Sequence, residues 1–154
     1  MTMFLVLVII LGSVISIMKD EDPNEMHFSF EPQSEVECSD VIVAPSEFGL
    51  GCFAKRDFKQ GEIIERGVMM PLPGVDGNEY DHLFTWSDDK KLFASGSGCL
   101  PFYNHSDDPN IAKVGDLQSN RMKIVALRDI VKGEELRNRY MSRPWRTCFK
   151  NLQD

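Results

Sequence analysis

Two stretches decide how this chain is read: Asn104-His105-Ser106-Asp107-Asp108-Pro109-Asn110 and, further on, Gly133-Glu134-Glu135-Leu136-Arg137-Asn138-Arg139-Tyr140. In the first, Asn, Asp and Ser side chains compete for nearby backbone N–H groups and Pro fixes φ, which is turn chemistry. Asn104-His105-Ser106 also satisfies the N-glycosylation sequon. The second opens on a Gly-Glu turn and runs into an extended segment ending in an aromatic residue. Earlier in the chain, Gly49-Leu50-Gly51 follows a first apolar strand. Taken singly, each has an ordinary explanation, since a lone G-x-G is usually a turn and a Tyr closing a strand is usually core.

Around these stretches the sequence breaks into short β-type runs, VIVA, CFAK, EIIERGVMM, HLFTW, KLFAS, IAKV, MKIVAL and ELRNRY, separated by turns such as PGVDGN, SDDK and VKGE. No segment sustains helical periodicity for more than two turns, so the domain is expected to be mainly β. One internal repeat is present. Ala54-Lys55-Arg56-Asp57-Phe58-Lys59-Gln60-Gly61-Glu62 matches Ala126-Leu127-Arg128-Asp129-Ile130-Val131-Lys132-Gly133-Glu134, 72 residues later. Each copy reads as a hairpin with Gly at a positive-φ position, and two hairpins at opposite ends of a domain imply pseudo-symmetric β architecture.

The 154 residues allow one domain and a short appendage, and 42% hydrophobic content permits a real core. The net charge of -7 is unevenly spread. It lies in Lys19 to Asp40, with one basic and eight acidic residues, whereas Val41 to Asp154 is neutral and its end, with Arg137, Arg139, Arg143, Arg146 and Lys150, is locally basic. No direct nucleic-acid site is evident. Residues 1–18 are apolar and just long enough to span a membrane as a helix. An anchor, a cleaved signal peptide and a start-site artefact with translation from Met18 all remain open, so the domain is expected either membrane-anchored facing the cytosol or cytosolic or nuclear. The expected division is an apolar helix over 1–18, an acidic linker over 19–36, a β domain over 37–145 and a tail over 146–154. Cys38, Cys52, Cys99 and Cys148 have no zinc-site spacing and no disulfide framework, so no metal is expected and reduced thiols are preferred.

The three motifs, in this order and with both R-D-x-x-x-G-E repeats, resemble the SET-domain family over Val41 to Trp145. The likeness is strongest to the small stand-alone SET methyltransferases of large algal viruses, which also carry a Ser-Arg-Pro, here Ser142-Arg143-Pro144, soon after the final Tyr. The resemblance implies a β-clip-like fold of several small sheets in which a threaded C-terminal segment brings the Asn-His-Ser stretch and Tyr140 together. It implies a protein-lysine N-methyltransferase using S-adenosyl-L-methionine on a basic, lysine-containing peptide or histone-like tail. Gly49, Leu50, Gly51, Asn104 and His105 would bind the cofactor, glycine being needed at 49 and 51 for close backbone approach. Tyr140 would be catalytic.

Methyl transfer is an in-line displacement that needs a neutral amine and a well-placed donor more than a strong base. The sequence departs from the family at Pro101-Phe102-Tyr103, at Asp107, and in the residues expected to line the lysine channel, for which His82, Phe84, Trp86 and Trp145 are candidates alongside an ordinary core role. A SET-like binding module without turnover, or a secreted β domain of other function, is the alternative expectation.

Overall fold

Strand β4 (Ile63–Leu72) organises the larger of two sheets. In the computed structural model, which describes residues 36–152, β4 lies at the centre of a five-stranded antiparallel sheet ordered β5-β6-β4-β8-β7. The other strands are β5 (Phe84–Thr85), β6 (Phe93–Gly96), β7 (Ile111–Asp116) and β8 (Arg121–Ala126), and β4 itself pairs with β6 and β8. A three-stranded meander of β1 (Val36–Cys38), β2 (Val41–Ser46) and β3 (Gly49–Ala54) forms the second sheet. The period-2 pattern explains the packing: Val41 and Val43 of β2 and Met122, Ile124 and Ala126 of β8 turn inward while their neighbours face outward. Apart from three 3-10 turns, Gly77–Glu79, Leu100–Phe102 and Thr147–Phe149, the described residues contain no helix, and none of these turns is long enough to cross a membrane. The apolar stretch 1–18 and nearly all of the acidic linker lie outside the described residues.

The internal repeat has an unexpected outcome. The two copies do not form separate hairpins at opposite ends; they face each other and exchange backbone hydrogen bonds reciprocally. Phe58 and Ile130 pair reciprocally through N–H···O bonds of 2.9 and 3.0 Å. Gly61 N–H donates to the Ala126 carbonyl and Gly133 N–H to that of Ala54, both at 2.8 Å. Asp57 accepts from Lys132 N–H (2.8 Å) while Asp129 accepts from Gln60 N–H (3.0 Å). Each copy carries the same internal ion pair, Arg56–Glu62 at 2.7 Å and Arg128–Glu134 at 2.5 Å. Gly61 and Gly133 adopt φ of 81° and 86°, where a side chain would be strained. Sequence identity between the copies is therefore the signature of one clasp with two equivalent halves.

Beyond the clasp, the run expected as a final strand is an extended segment gripped from both sides. Leu136 N–H donates to the Cys52 carbonyl on β3 (2.7 Å), and Asn138 N–H donates to Asn104 (3.0 Å). This is the threaded segment, and it leads to Tyr140, whose backbone N–H is held by His105. The chain then turns back, so that Arg146 and Phe149, in the stretch assigned to a tail, are buried.

The cysteines correct the expectation of free thiols. Cys38, at the end of edge strand β1, and Cys99, just before a 3-10 turn, come within 6.0 Å between Cα atoms and form a disulfide, while Cys52 and Cys148 are free. Spacing along the chain could not reveal the pair because a long-range packing of β1 creates it. Among the described residues, one cluster has metal-ligand proximity, Cys38, Cys99 and Glu65, and its two sulfurs are bonded to each other. The bond closes a loop of 61 residues. Replacing Cys38 by Ala is expected to lower stability by up to about 4 kcal/mol on the loop-entropy scale. Urea denaturation with and without a reductant measures this, and reductant should leave the variant's midpoint unchanged.

Candidate active site

Tyr140 is held at three points. Its backbone N–H donates to His105 Nδ1 (3.0 Å), its hydroxyl donates to the Tyr103 carbonyl (2.8 Å), and its ring packs against Phe149 with centroids 4.9 Å apart. Burial pushes the phenol pKa above its ordinary value, so the hydroxyl stays protonated near neutrality. One side of the ring faces a cavity of about 490 Å³ whose walls include Phe84, Lys113, Met141, Trp145 and Phe149. Two buried side-chain oxygens in that wall, Thr85 Oγ1 and Asn138 Oδ1, have no hydrogen-bond partner.

The expected cofactor-binding residues, Gly49, Leu50, Gly51, Asn104 and His105, do not line this cavity. Asn104 lies behind Tyr140, its amide shared between Ser46 Oγ (3.1 Å), the Leu50 carbonyl (3.2 Å) and Glu135 Oε1 (2.9 Å). It ties the Gly49-Leu50-Gly51 turn to the threaded segment. His105 is buried; its Nδ1 accepts the Tyr140 N–H, and Asp107 Oδ1 and Arg143 Nη1 lie 3.5 and 3.0 Å from its Nε2. Glycine at 51 also has a local cause, because a Cβ there would lie 2.5 Å from Glu135 Oε1 and 2.9 Å from Asn104 Nδ2. Gly49 is required by its φ of 97°. Leu50, 51% exposed, and Gly49 remain accessible, while Gly51 is buried.

The four channel candidates divide evenly. Phe84 and Trp145 line the cavity. His82 projects outward beside Asp81, 6.0 Å from the Phe102 ring. Trp86 is core: it is 4% exposed, its Nε1–H donates to Asn120 Oδ1 (2.8 Å), and its ring covers Gly115. Two cations were missed by the sequence reading. Lys113 points its Nζ over the rings of Phe84, Tyr140 and Tyr103, at 4.7, 5.4 and 5.8 Å from their centroids, and burial pushes its pKa down to about 8. Arg146, read as part of a basic surface, is 2% exposed and has its pKa lowered by burial. Its guanidinium donates to the carbonyls of Leu83 (2.7 Å), Gly77 (2.6 Å) and Tyr80, fastening the 77–83 loop that forms the cavity's outer wall. Only the Ser-Arg-Pro-Trp-Arg run hinted at it.

A mainly β domain with a threaded C-terminal segment, an Asn-His-Ser stretch behind a terminal Tyr and an aromatic cavity before it defines a narrow structural class. The chain belongs to the SET-domain family, whose pattern it matches over residues 49–141. Among solved structures it is similar to a Plasmodium falciparum protein assigned as a histone methyltransferase, at 27% identity and a TM-score of 0.54, covering 66% of this chain and 92% of that one. It is also similar to a humanised mutant of the Chaetomium thermophilum polycomb repressive complex 2 bound to an inhibitor, at 25% identity and TM-score 0.55, over 66% of this chain and 15% of that one. An autoinhibited ctPRC2 bound to S-adenosylmethionine shares the fold, at 24% identity and TM-score 0.53 over the same shares. These likenesses agree with a methyltransferase role.

Arg146→Met is expected to strand three carbonyls and cost about 3 kcal/mol of stability. Arg146→Lys should recover only part of this, because an ammonium lacks the planar fork. Urea denaturation of both variants measures the loss, and equal stability of Arg146→Met and the parent would contradict it.

Proposed function

We propose that the protein is an S-adenosyl-L-methionine-dependent protein-lysine N-methyltransferase acting on a basic peptide. The observation that carries the reading is Tyr140: a fixed, protonated hydroxyl standing between the aromatic cavity and the Leu50–Asn104–His105 surface.

The residues present fit such a cofactor. Asn138 Oδ1 is a buried acceptor without a donor, suited to an N–H group or a polarised C–H, and the Tyr103 carbonyl is a second acceptor at the same wall. Leu50 and the Asn104-His105 stretch would hold the cofactor behind Tyr140. Bound there, it would supply an electrophilic methyl group to an amine arriving through the cavity.

The chain's own residues would prepare that amine. Because the Tyr140 hydroxyl spends its proton on Tyr103, its oxygen lone pairs are free to accept an N–H from the incoming lysine and direct the nitrogen lone pair. Phe84 and Trp145 would strip water from the aliphatic stem. The same desolvation favours the neutral amine, and Lys113 shows its size: in this cavity its own pKa falls from 10.5 to about 8. A module that binds without turnover is the second reading, favoured by the absence of His82 and Trp86 from the cavity wall.

Tyr140→Phe keeps the ring packed and removes the hydroxyl. Turnover on a basic peptide library, followed by mass spectrometry, should fall by about 10²-fold or more while cofactor binding by calorimetry is retained. A parent that binds the cofactor but methylates no peptide would favour the binding module.

The pH profile follows from the sign of the desolvation effect. A lysine whose pKa is lowered on binding gains neutral fraction as pH rises, so kcat, which reports the bound complex, should climb roughly tenfold per pH unit on the acid side and level off once the bound amine is neutral. A flat profile between pH 6 and 8 would contradict an amine acceptor.

A further inference from the structure

The cavity before Tyr140 already contains an amine, and it is the chain's own. Lys113 enters from β7, next to Ile111 and Ala112, which share the wall. Its Nζ is surrounded by the faces of Phe84, Tyr140 and Tyr103, an arrangement in which ring quadrupoles replace counter-ions around an ammonium. No carboxylate among the described residues forms an ion pair with it. The Glu65 carboxylate acts on it from a distance. Glu65 is engaged elsewhere, accepting from the Tyr103 hydroxyl (2.5 Å) and from Cys99 N–H (2.9 Å). Cys52 is buried with its Sγ directed at the Cys99 carbonyl.

We propose that Lys113 is the resident occupant of the amine site before Tyr140, and that an external alkylammonium enters only by displacing it. The inference rests on reading this cavity as the acceptor site. Two ammonium groups cannot share one set of three rings without strong repulsion in a desolvated space. Lys113 has the means to leave: an unbranched four-carbon stem, an exposed strand end at Val114 to Asp116 beyond it, and no ion pair to break. It thereby sets specificity. Substrates whose flanking residues bind firmly along the cavity mouth displace it, and a free amine at low concentration does not. The lowered pKa works in the same direction, since raising the pH neutralises Lys113 and loosens its hold on the rings.

The test needs neither cofactor nor turnover. In the full chain, nuclear magnetic resonance should find the Lys113 ε-methylene protons shifted upfield by ring currents, and titration with n-butylammonium should return them to the ordinary position. Lys113→Met, which keeps the length and removes the charge, should bind n-butylammonium about tenfold more tightly than the parent, the scale of one good cation–π site. Lys113→Arg should bind no better than the parent. Ordinary ε-methylene shifts in the parent, or equal n-butylammonium affinity in parent and Lys113→Met, would overturn the proposal. If Lys113→Met does not fold, the parent's resonances decide alone. A chain that passes this test but methylates no peptide leaves the occupant and removes the enzyme reading; a chain that methylates peptide with unshifted Lys113 does the reverse.

Discussion

Everything in this domain hangs on the reciprocal clasp between residues 54–62 and 126–134. Glu134 closes it by pairing with Arg128, and the same carboxylate accepts from Asn110 Nδ2 at 2.8 Å. Asn110 passes the constraint on: its amide also donates to the Glu135 carbonyl and its oxygen accepts Arg137 N–H, both at 2.8 Å. The threaded segment is thus fixed at 134, 135 and 137 before it meets Asn104 and His105, and Tyr140 follows at a set position. The Pro-Asn and Gly-Glu-Glu motifs are in this sense one device. Their acids and amides are spent on holding the backbone, which leaves Tyr140 to face the cavity.

That division of labour explains what the sequence could disclose. The fold was legible because turn residues and the repeated Arg-Asp-x-x-x-Gly-Glu act through short-range backbone geometry, and such geometry leaves a local pattern. The position of Tyr140 was legible for the same reason, as the end of a segment with a recognisable start; its catalytic role belongs to the proposal. Asn104, His105 and the Gly49–Gly51 turn were found, but their visible contacts bind the protein to itself; their facing toward a cofactor is part of the proposal. The repeat was seen and its partner mistaken, since matching copies in a sequence do not say whether each pairs internally or with the other.

The missed residues share a different property. Lys113, Arg146 and the Cys38–Cys99 pair owe their roles to burial by distant elements, and charge or thiol chemistry gives no hint of that on its own. Lys113 sits in an alternating β run where a lysine ordinarily faces water. Arg146 is stabilised by carbonyl dipoles of a loop more than 60 residues away, with no carboxylate to announce it. Trp86 falls on the core side of the two readings open to it. A tryptophan beside a suspected channel invites a functional reading, and Asn120 at the β7–β8 turn, satisfying its indole N–H, makes it core.

The threaded segment also has a bearing on how the chain comes to be folded. The clasp joins residues 72 positions apart, and the segment that follows must be laid between β3 and the Asn104–Asn110 stretch after both are made. Contacts of this range close slowly, because loop entropy is spent before the contacts are gained. During synthesis β2 and β3 can pair early, yet Phe58 has no partner until Ile130 has left the ribosome, and Arg146 reaches its loop carbonyls only after that. The domain is therefore open, with its apolar clasp surface uncovered, for most of its time as a nascent chain.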